Sequence, residues 1–283
     1  MLPLESEESC HAPPEALRVY VYGIIRANED GREPIMPPLK GLADNPVHTI
    51  VGNGLAALVS MVATPEDGTP FEEELQDPEQ AKRLILDHHR VLQCLFDIRT
   101  VLPMRFGALF ADDEKVSEAL HEHRQGLLDA LERVEGAREW GVKIFCDRSV
   151  LSRHLSEASP AVLAAQNELA AAAQGRAFFL QRRIERLAEE EAERTVAQGA
   201  EESRRRLCEA ARADAPMKIQ PAAVHGRADD MVWNNAFLVA KPAEERFFAL
   251  IDELRKANRP LGFDYEINGP WPPFSFADYR LGE

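Results

Sequence analysis

The sequence is poor in the features that announce an extracellular, membrane-bound or catalytic protein. Its four cysteines, Cys10, Cys94, Cys146 and Cys208, lie tens of residues apart. That spacing holds no CxxC pair and no dense disulfide framework, so they read as reduced thiols, three in the fold and Cys10 in a tail. No uninterrupted apolar run approaches the roughly 18 residues of a membrane span. The opening stretch MLPLESEESCHAPPEALR has no basic start followed by an apolar segment, so no secretory leader is expected and a cytoplasmic protein is. Positive charge is also in deficit: 33 Lys and Arg against 48 Asp and Glu leave a net charge of −15. Such a surface repels phosphate backbones and anionic headgroups, and neither nucleic acid nor a membrane is an expected partner.

Catalytic and metal motifs are missing as well. The chain contains no GxSxG elbow, no HExxH pair and no kinase set, and its Asp112-Asp113 and Asp229-Asp230 pairs stand where caps and turns place carboxylates. Gly52-Asn53-Gly54 is too short for a phosphate loop and fits a tight hairpin instead. His88-His89 and His121-x-His123 are spaced by one and two residues, whereas a metal pair on one helical face needs three or four. They read as solvated surface histidines. No catalytic residue, no cofactor and no metal site is therefore expected.

What is present is ample material for a core. Hydrophobic residues make up 45% of 283 residues, enough for two domains of ordinary size. Residues 1 to 16 are acidic and proline-bearing and read as a disordered tail. LRVYVYGIIRA predicts a buried strand at about 17 to 26, and VHTIVGNGLAALVSMV a β-hairpin around Asn53-Gly54. Asp77-Pro78 opens a helix running to about Phe96. TVLPMRFGALF follows as a short extended segment, and Asp112 and Asp113 cap a helix continuing to Val134. An N-terminal α+β domain of βββαβα order, residues 17 to 137, results.

From residue 138 the pattern restarts. EWGVKIFCD predicts a strand, residues 160 to 213 a long helix, MKIQPAAVHG and MVWNNAFLVA two strands, 243 to 257 a helix, and LGFDYEINGP a last strand. This βαββαβ order is that of a ferredoxin-like domain, residues 138 to 283, with a long helical insertion. An unbroken helix over 160 to 213 would reach about 80 Å, several times the length of a short strand, so part of it is expected to overhang or fold back. Gly199 and the acidic run Glu189 to Glu193 mark the expected break. Arg204-Arg205-Arg206 follows Glu201-Glu202 at helical ion-pair spacing.

Three places are candidates for partner contact. Arg105, between Met104 and Phe106 in a Pro- and Gly-bounded segment, either pairs with a carboxylate of the fold or presents its fork to a partner. The chain's final stretch GPWPPFSF holds three prolines that restrict the backbone, so Trp271, Phe274 and Phe276 are expected to pack on the C-terminal domain, with docking as the rival role. On the long helix, Phe178 and Phe179 lie about 100° apart, so if one faces the sheet the other lies toward the edge of the apolar stripe, where it can meet a partner; the alternative is that both rings pack against a neighbouring helix or the N-terminal domain.

VYVYGIIRA at 19 to 27, VLPMRFGALF at 101 to 110 and NGPWPPFSF at 268 to 276 together resemble the gas vesicle proteins of the GvpL/GvpF family, and GRAFFLQRR at 175 to 183 is similar to the family's long-helix segment. The resemblance covers about residues 17 to 277. It implies a two-domain, partly ferredoxin-like, non-enzymatic accessory or minor structural component of gas vesicles, the hollow protein shells that give microbes buoyancy. It also implies a partner, the small and very hydrophobic main shell protein, with other accessory gas vesicle proteins as further partners and a monomer in isolation. The rival expectation is a small-molecule-binding or enzymatic ferredoxin-like protein with a cleft between its domains.

Overall fold

The computed structural model describes residues 15–28, 37–65, 77–277 and 279. The chain forms a mixed helix-and-sheet structure with two antiparallel sheets, divided into one unit of Met1–Glu135 with Pro272–Glu283 and a second of Gly136–Trp271. The tail expected over residues 1 to 16 lies outside the described residues, Cys10 included, apart from Glu15 and Ala16, which open the first strand.

The first unit is built on β1 (Glu15–Arg26), whose residues Val19 to Ile25 are all buried. A shift of register between Val21 and Gly23 moves the alternation by one residue, so that Ile25, not Ile24, follows Tyr20 and Tyr22 on one face. β2 (His48–Gly52) and β3 (Leu55–Pro65) form a hairpin, with Asn53 at φ 54° and Gly54 at φ 81°, the positive angles that an Asn-Gly turn supplies. β4 (Leu102–Pro103) and β5 (Leu109–Phe110) both pair with β1, giving the order β2-β3-β1-β4 with β5 beside β4 on β1. One face of this sheet carries Tyr20, Tyr22, Ile25 and Leu58 against Val91, Leu92 and Leu95 of α1 (Pro78–Phe96). The other carries Val19, Val21, Ile24 and Val59 against Val116 and Leu120 of α2 (Asp113–Glu122) and Leu127 and Leu131 of α3 (Arg124–Val134). The helix expected from Asp112 to Val134 is thus two helices, parted at His123, which sits at φ −96°, ψ 11°.

In the second unit, β6 (Ala137–Cys146) is followed by α4 (Arg148–Ala158), α5 (Pro160–Ala170), α6 (Gln174–Cys208), β7 (Ala213–Pro216), α7 (Ala222–His225), β8 (Asp230–Ala240), α8 (Glu244–Asn258) and β9 (Phe263–Trp271). The strands run antiparallel in the order β7-β8-β6-β9. Val142, Ile144, Phe237, Val239, Phe263 and Tyr265 of the sheet meet Val196 and Leu207 of α6 and Phe247, Ile251 and Leu254 of α8 in a single core. Two expectations are corrected here. The strand placed at MKIQPAAVHG is instead the four residues before it, because Ala213–Pro216 pair with Asn235–Leu238 while residues 222 to 225 turn helical. The helical stretch over 160 to 213 does fold back, as its length required, but it breaks at Ala171 to Ala173 rather than where expected, so that α5 lies along α6.

The expected break at Gly199 does not occur. A Cβ at Gly199 would lie 2.3 Å from the ring of buried Phe263, so the glycine admits β9 close against an unbroken α6. Gly199→Val is expected to destabilise this unit by about 2 kcal/mol through overpacking, despite the better helix propensity of the new side chain. Faster hydrogen exchange across α6 and β9 would report it, and unchanged protection would show that Phe263 can yield.

Candidate functional site

Two surfaces, one on each unit, gather the residues that the sequence singled out. On the first unit, the turn between β4 and β5 is fastened from below. Tyr20 on β1 accepts a hydrogen bond from Gly107 N–H at 3.3 Å, and its hydroxyl meets His88 Nδ1 of α1 at 2.8 Å. With Tyr20 Oη already accepting, its own proton goes to the imidazole. The far side of the His88 ring bonds the Met104 backbone, and Met104 N–H donates to the Tyr22 carbonyl at 2.9 Å. Val21 N–H donates to Ala108 O at 2.9 Å. Tyr22 adds a second buried polar junction, with its hydroxyl 2.7 Å from Ser60 Oγ and from the donating Leu42 N–H.

Burial dominates the electrostatics of this cluster. It pushes His88 down to about 4, with His89 adding to the effect and the Met104 bond opposing it. Burial likewise raises Tyr20 well above the usual phenol range and raises Tyr22 as well. His88 is therefore neutral at ordinary pH and works as a structural linker. The expectation of two solvated histidines is overturned for His88, which is 2% exposed. Its ring stands 5.8 Å from both Tyr22 and Phe106, while neighbouring His89 packs against Phe274 with the rings tilted and their centroids 4.8 Å apart.

That last contact corrects the expectation for the aromatic tail. Pro272 to Glu283 belong with the first unit, where Phe274 packs beside α1 and Ala277 and Tyr279 pack on the core beneath α2 and α3. Tyr279 fills the space over Gly126, with a ring atom 2.5 Å from where a Cβ would stand, and its hydroxyl donates to His123 O at 3.4 Å. Pro272 and Pro273 are buried and Phe274 and Phe276 half-buried. Trp271 is not packed away as expected: it is 44% exposed at the end of β9, its Nε1 donating to Asn268 Oδ1 at 3.2 Å. Arg105 is exposed, with no ion pair or hydrogen bond among the described residues, so the structural pairing weighed for it is not made.

On the second unit, α5 and the first half of α6 form a helical arm. Val162, Ala165 and Leu180 are its buried positions, and Glu168 of α5 binds both Arg176 and Arg183 of α6, at 3.5 and 3.1 Å. Phe178 and Phe179 both point outward, 66% and 74% exposed. Neither faces the sheet, and neither is packed away against a helix or the N-terminal domain as the alternative expected. Their rings meet edge to face at 5.9 Å, and the Arg182 guanidinium lies 5.8 Å over Phe178. In the triple arginine further along, Arg205 binds Glu202 and Glu209 and Arg204 binds Glu201 at helical spacing, as expected, while Arg204 also binds Asp214 and Arg206 binds Glu253 from outside the helix.

Among the described residues, no group of three or more His, Cys, Asp or Glu is placed to hold a metal. A surface hollow of about 510 Å³ beside the start of α1 is lined by Ala43, Asp77, Glu79, Gln80, Arg83 and Leu84. Among its described lining residues the one cation, Arg83, is paired with Asp44 at 3.7 Å.

The family model of the gas vesicle synthesis proteins GvpL/GvpF matches residues 18–278. The chain belongs to that family. It is 30% identical over 267 residues to gas vesicle protein F of Streptomyces sp. (strain CB03234), covering 93% of this chain and all of that one. Gas vesicle protein L of the same strain is 28% identical over 261 residues, covering 91% and 92% of the two chains. The fold matches the crystal structure of the gas vesicle protein GvpF from Anabaena sp. PCC7120, with a TM-score of 0.67 at 20% identity over 94% of this chain and all of that one. For a member of this family, the segments quoted for the resemblance acquire a physical context. VYVYG supplies Tyr20 and Tyr22, PMRFG the turn they hold, and PPFSF the ring on His89. His88, which joins the first two, and His89, which meets the third, carried no sequence signal beyond their positions on α1.

Proposed function

We propose that this chain is a non-enzymatic assembly factor or minor structural component of gas vesicles. It binds the hydrophobic main shell protein during vesicle formation, works in the cytoplasm and at the vesicle, and is a monomer in isolation. The second unit's strand order β7-β8-β6-β9, with α6 and α8 on one face, supports reading it as a ferredoxin-like domain carrying the α5–α6 arm as an insertion. Membership of the GvpL/GvpF family supports the gas vesicle role. A net charge of −15 suits a carrier that keeps an apolar client dispersed.

The observation that carries the reading is the pair of exposed rings at Phe178 and Phe179. Two adjacent phenylalanines held in water forgo about 1.5 to 3 kcal/mol each that burial would supply, and on a helical arm they form a ready face for an apolar helix. Phe179→Ser is expected to weaken co-purification with the main shell protein roughly tenfold or more while the melting temperature stays nearly constant. Undiminished capture, or capture lost only together with the fold, would defeat the arm as the binding face.

A further inference from the structure

The buried polar work of the first unit converges on four residues, Met104 to Gly107, and leaves one side chain among them in water. Met104 N–H is held by Tyr22 O, Gly107 N–H by Tyr20 Oη, and the Met104 backbone again by His88. A turn that only had to join two short strands could do so on the surface with solvated backbone groups. Here a tyrosine and a histidine are drawn into the core to fix it. The side chain so presented, Arg105, is exposed and makes no ion pair among the described residues, in a chain where carboxylates outnumber cations by 48 to 33.

We infer that the Arg105 turn is a preformed recognition element for a single carboxylate carried on an apolar segment of a protein partner. Three features set that chemistry. The guanidinium is a planar fork suited to a carboxylate, and its fixed backbone lowers the entropy lost on docking. With Pro103 and Met104 buried, the apolar surface beside the guanidinium is that of half-buried Phe106, whose ring stands 6.0 Å from that of Tyr20, so a partner meets one cation next to one partly exposed ring. The net charge of −15 works against polyanions such as nucleic acid or an acidic tail, but little against one isolated carboxylate. This element is separate from the α5–α6 arm and does not depend on the arm binding the shell protein.

The test uses the full chain labelled with ¹⁵N-arginine and two peptides, acetyl-Leu-Glu-Leu-amide and its Gln counterpart. The Arg105 side-chain signal, assigned by its absence from Arg105→Lys, is expected to shift saturably with the Glu peptide and several-fold more weakly with the Gln peptide. The exposed Arg18 and Arg153 serve as references and should move little. Tyr20→Phe, which removes the hydroxyl that holds Gly107, should weaken the Glu peptide several-fold with Arg105 still in place. Equal response to the two peptides, a shift at Arg105 no larger than at the references, or a Tyr20→Phe protein that binds as well as the wild type would each overturn the proposal. Inorganic phosphate serves as a further arm, and a response to it matching that to the Glu peptide would reduce Arg105 to a general anion contact and also overturn it. Arg105→Glu should abolish the peptide response while leaving the arm's Phe179-dependent capture of the shell protein intact, so that each reading can fail without the other.

Discussion

Lowering the pH from about 6.5 to 4 should remove on the order of 3 kcal/mol of stability from the wild-type protein through His88 alone. In the unfolded chain this imidazole takes up a proton near its ordinary value, whereas in the fold burial holds it neutral down to about 4. Between those two values the unfolded state binds the proton and the folded state refuses it, so stability is complete above the upper value and falls as pH drops towards the lower. His89, also lowered by burial, acts in the same direction. Carboxylates titrate near the bottom of this window, so the decisive comparison is with His88→Leu. That variant should lose about 2 to 4 kcal/mol at neutral pH, because Tyr20 and Met104 are left with unmet hydrogen bonds, yet show a shallower decline on acidification. Urea unfolding at several pH values measures both quantities. Parallel curves for the two proteins would show that His88 is not the group responsible.

Ending the chain after Trp271 should cost about 3 kcal/mol or more, and the loss should fall on the first unit although the cut lies at the end of the second. The removed residues include two buried prolines, the ring of Phe274 on His89 and the ring of Tyr279 over Gly126. Strand β9 remains whole up to Trp271, whose own ring is 44% exposed and contributes less. Hydrogen exchange resolved along the sequence locates the effect: protection should fall in α1 and α3 and persist in β6 and β9. Loss of protection centred on β9 would return the tail to the second unit.

These two regions also show what the sequence could and could not disclose. Local rules sufficed where the signal was local. Asp77-Pro78 opens α1, Asn53-Gly54 turns the β2–β3 hairpin, and the alternating MVWNNAFLVA becomes β8. They failed where a distant partner decides. Gly199 reads as a helix breaker until Phe263, far along the chain, is seen to occupy the space it leaves. Ala171 to Ala173 read as good helix and are nevertheless the break, because folding α5 back lets Glu168 reach Arg176 and Arg183. His88 looked like half of a surface pair, and only the pairing of β1 with β4 and β5 brings Tyr20 and Met104 to its two nitrogens. Of the candidate contacts, the positions of Arg105, Phe178 and Phe179 were legible from composition. Their exposure was not, because it depends on which neighbours decline to cover them.

The tail's allegiance to the first unit also sets an order of events during synthesis. A ribosome makes β1 to α3 early, then the whole of Gly136–Trp271, and only then the residues that fill the places beside His89 and over Gly126. Domains that are continuous in the chain fold as they emerge, so the second unit can finish while the first still waits for its last residues. The nascent first unit thus carries an open seam until the residues from Pro272 to Tyr279 have been made and have emerged. Any product that stalls or stops before Pro272 leaves that seam uncovered, and quality control that senses exposed apolar surface would read such chains as unfinished.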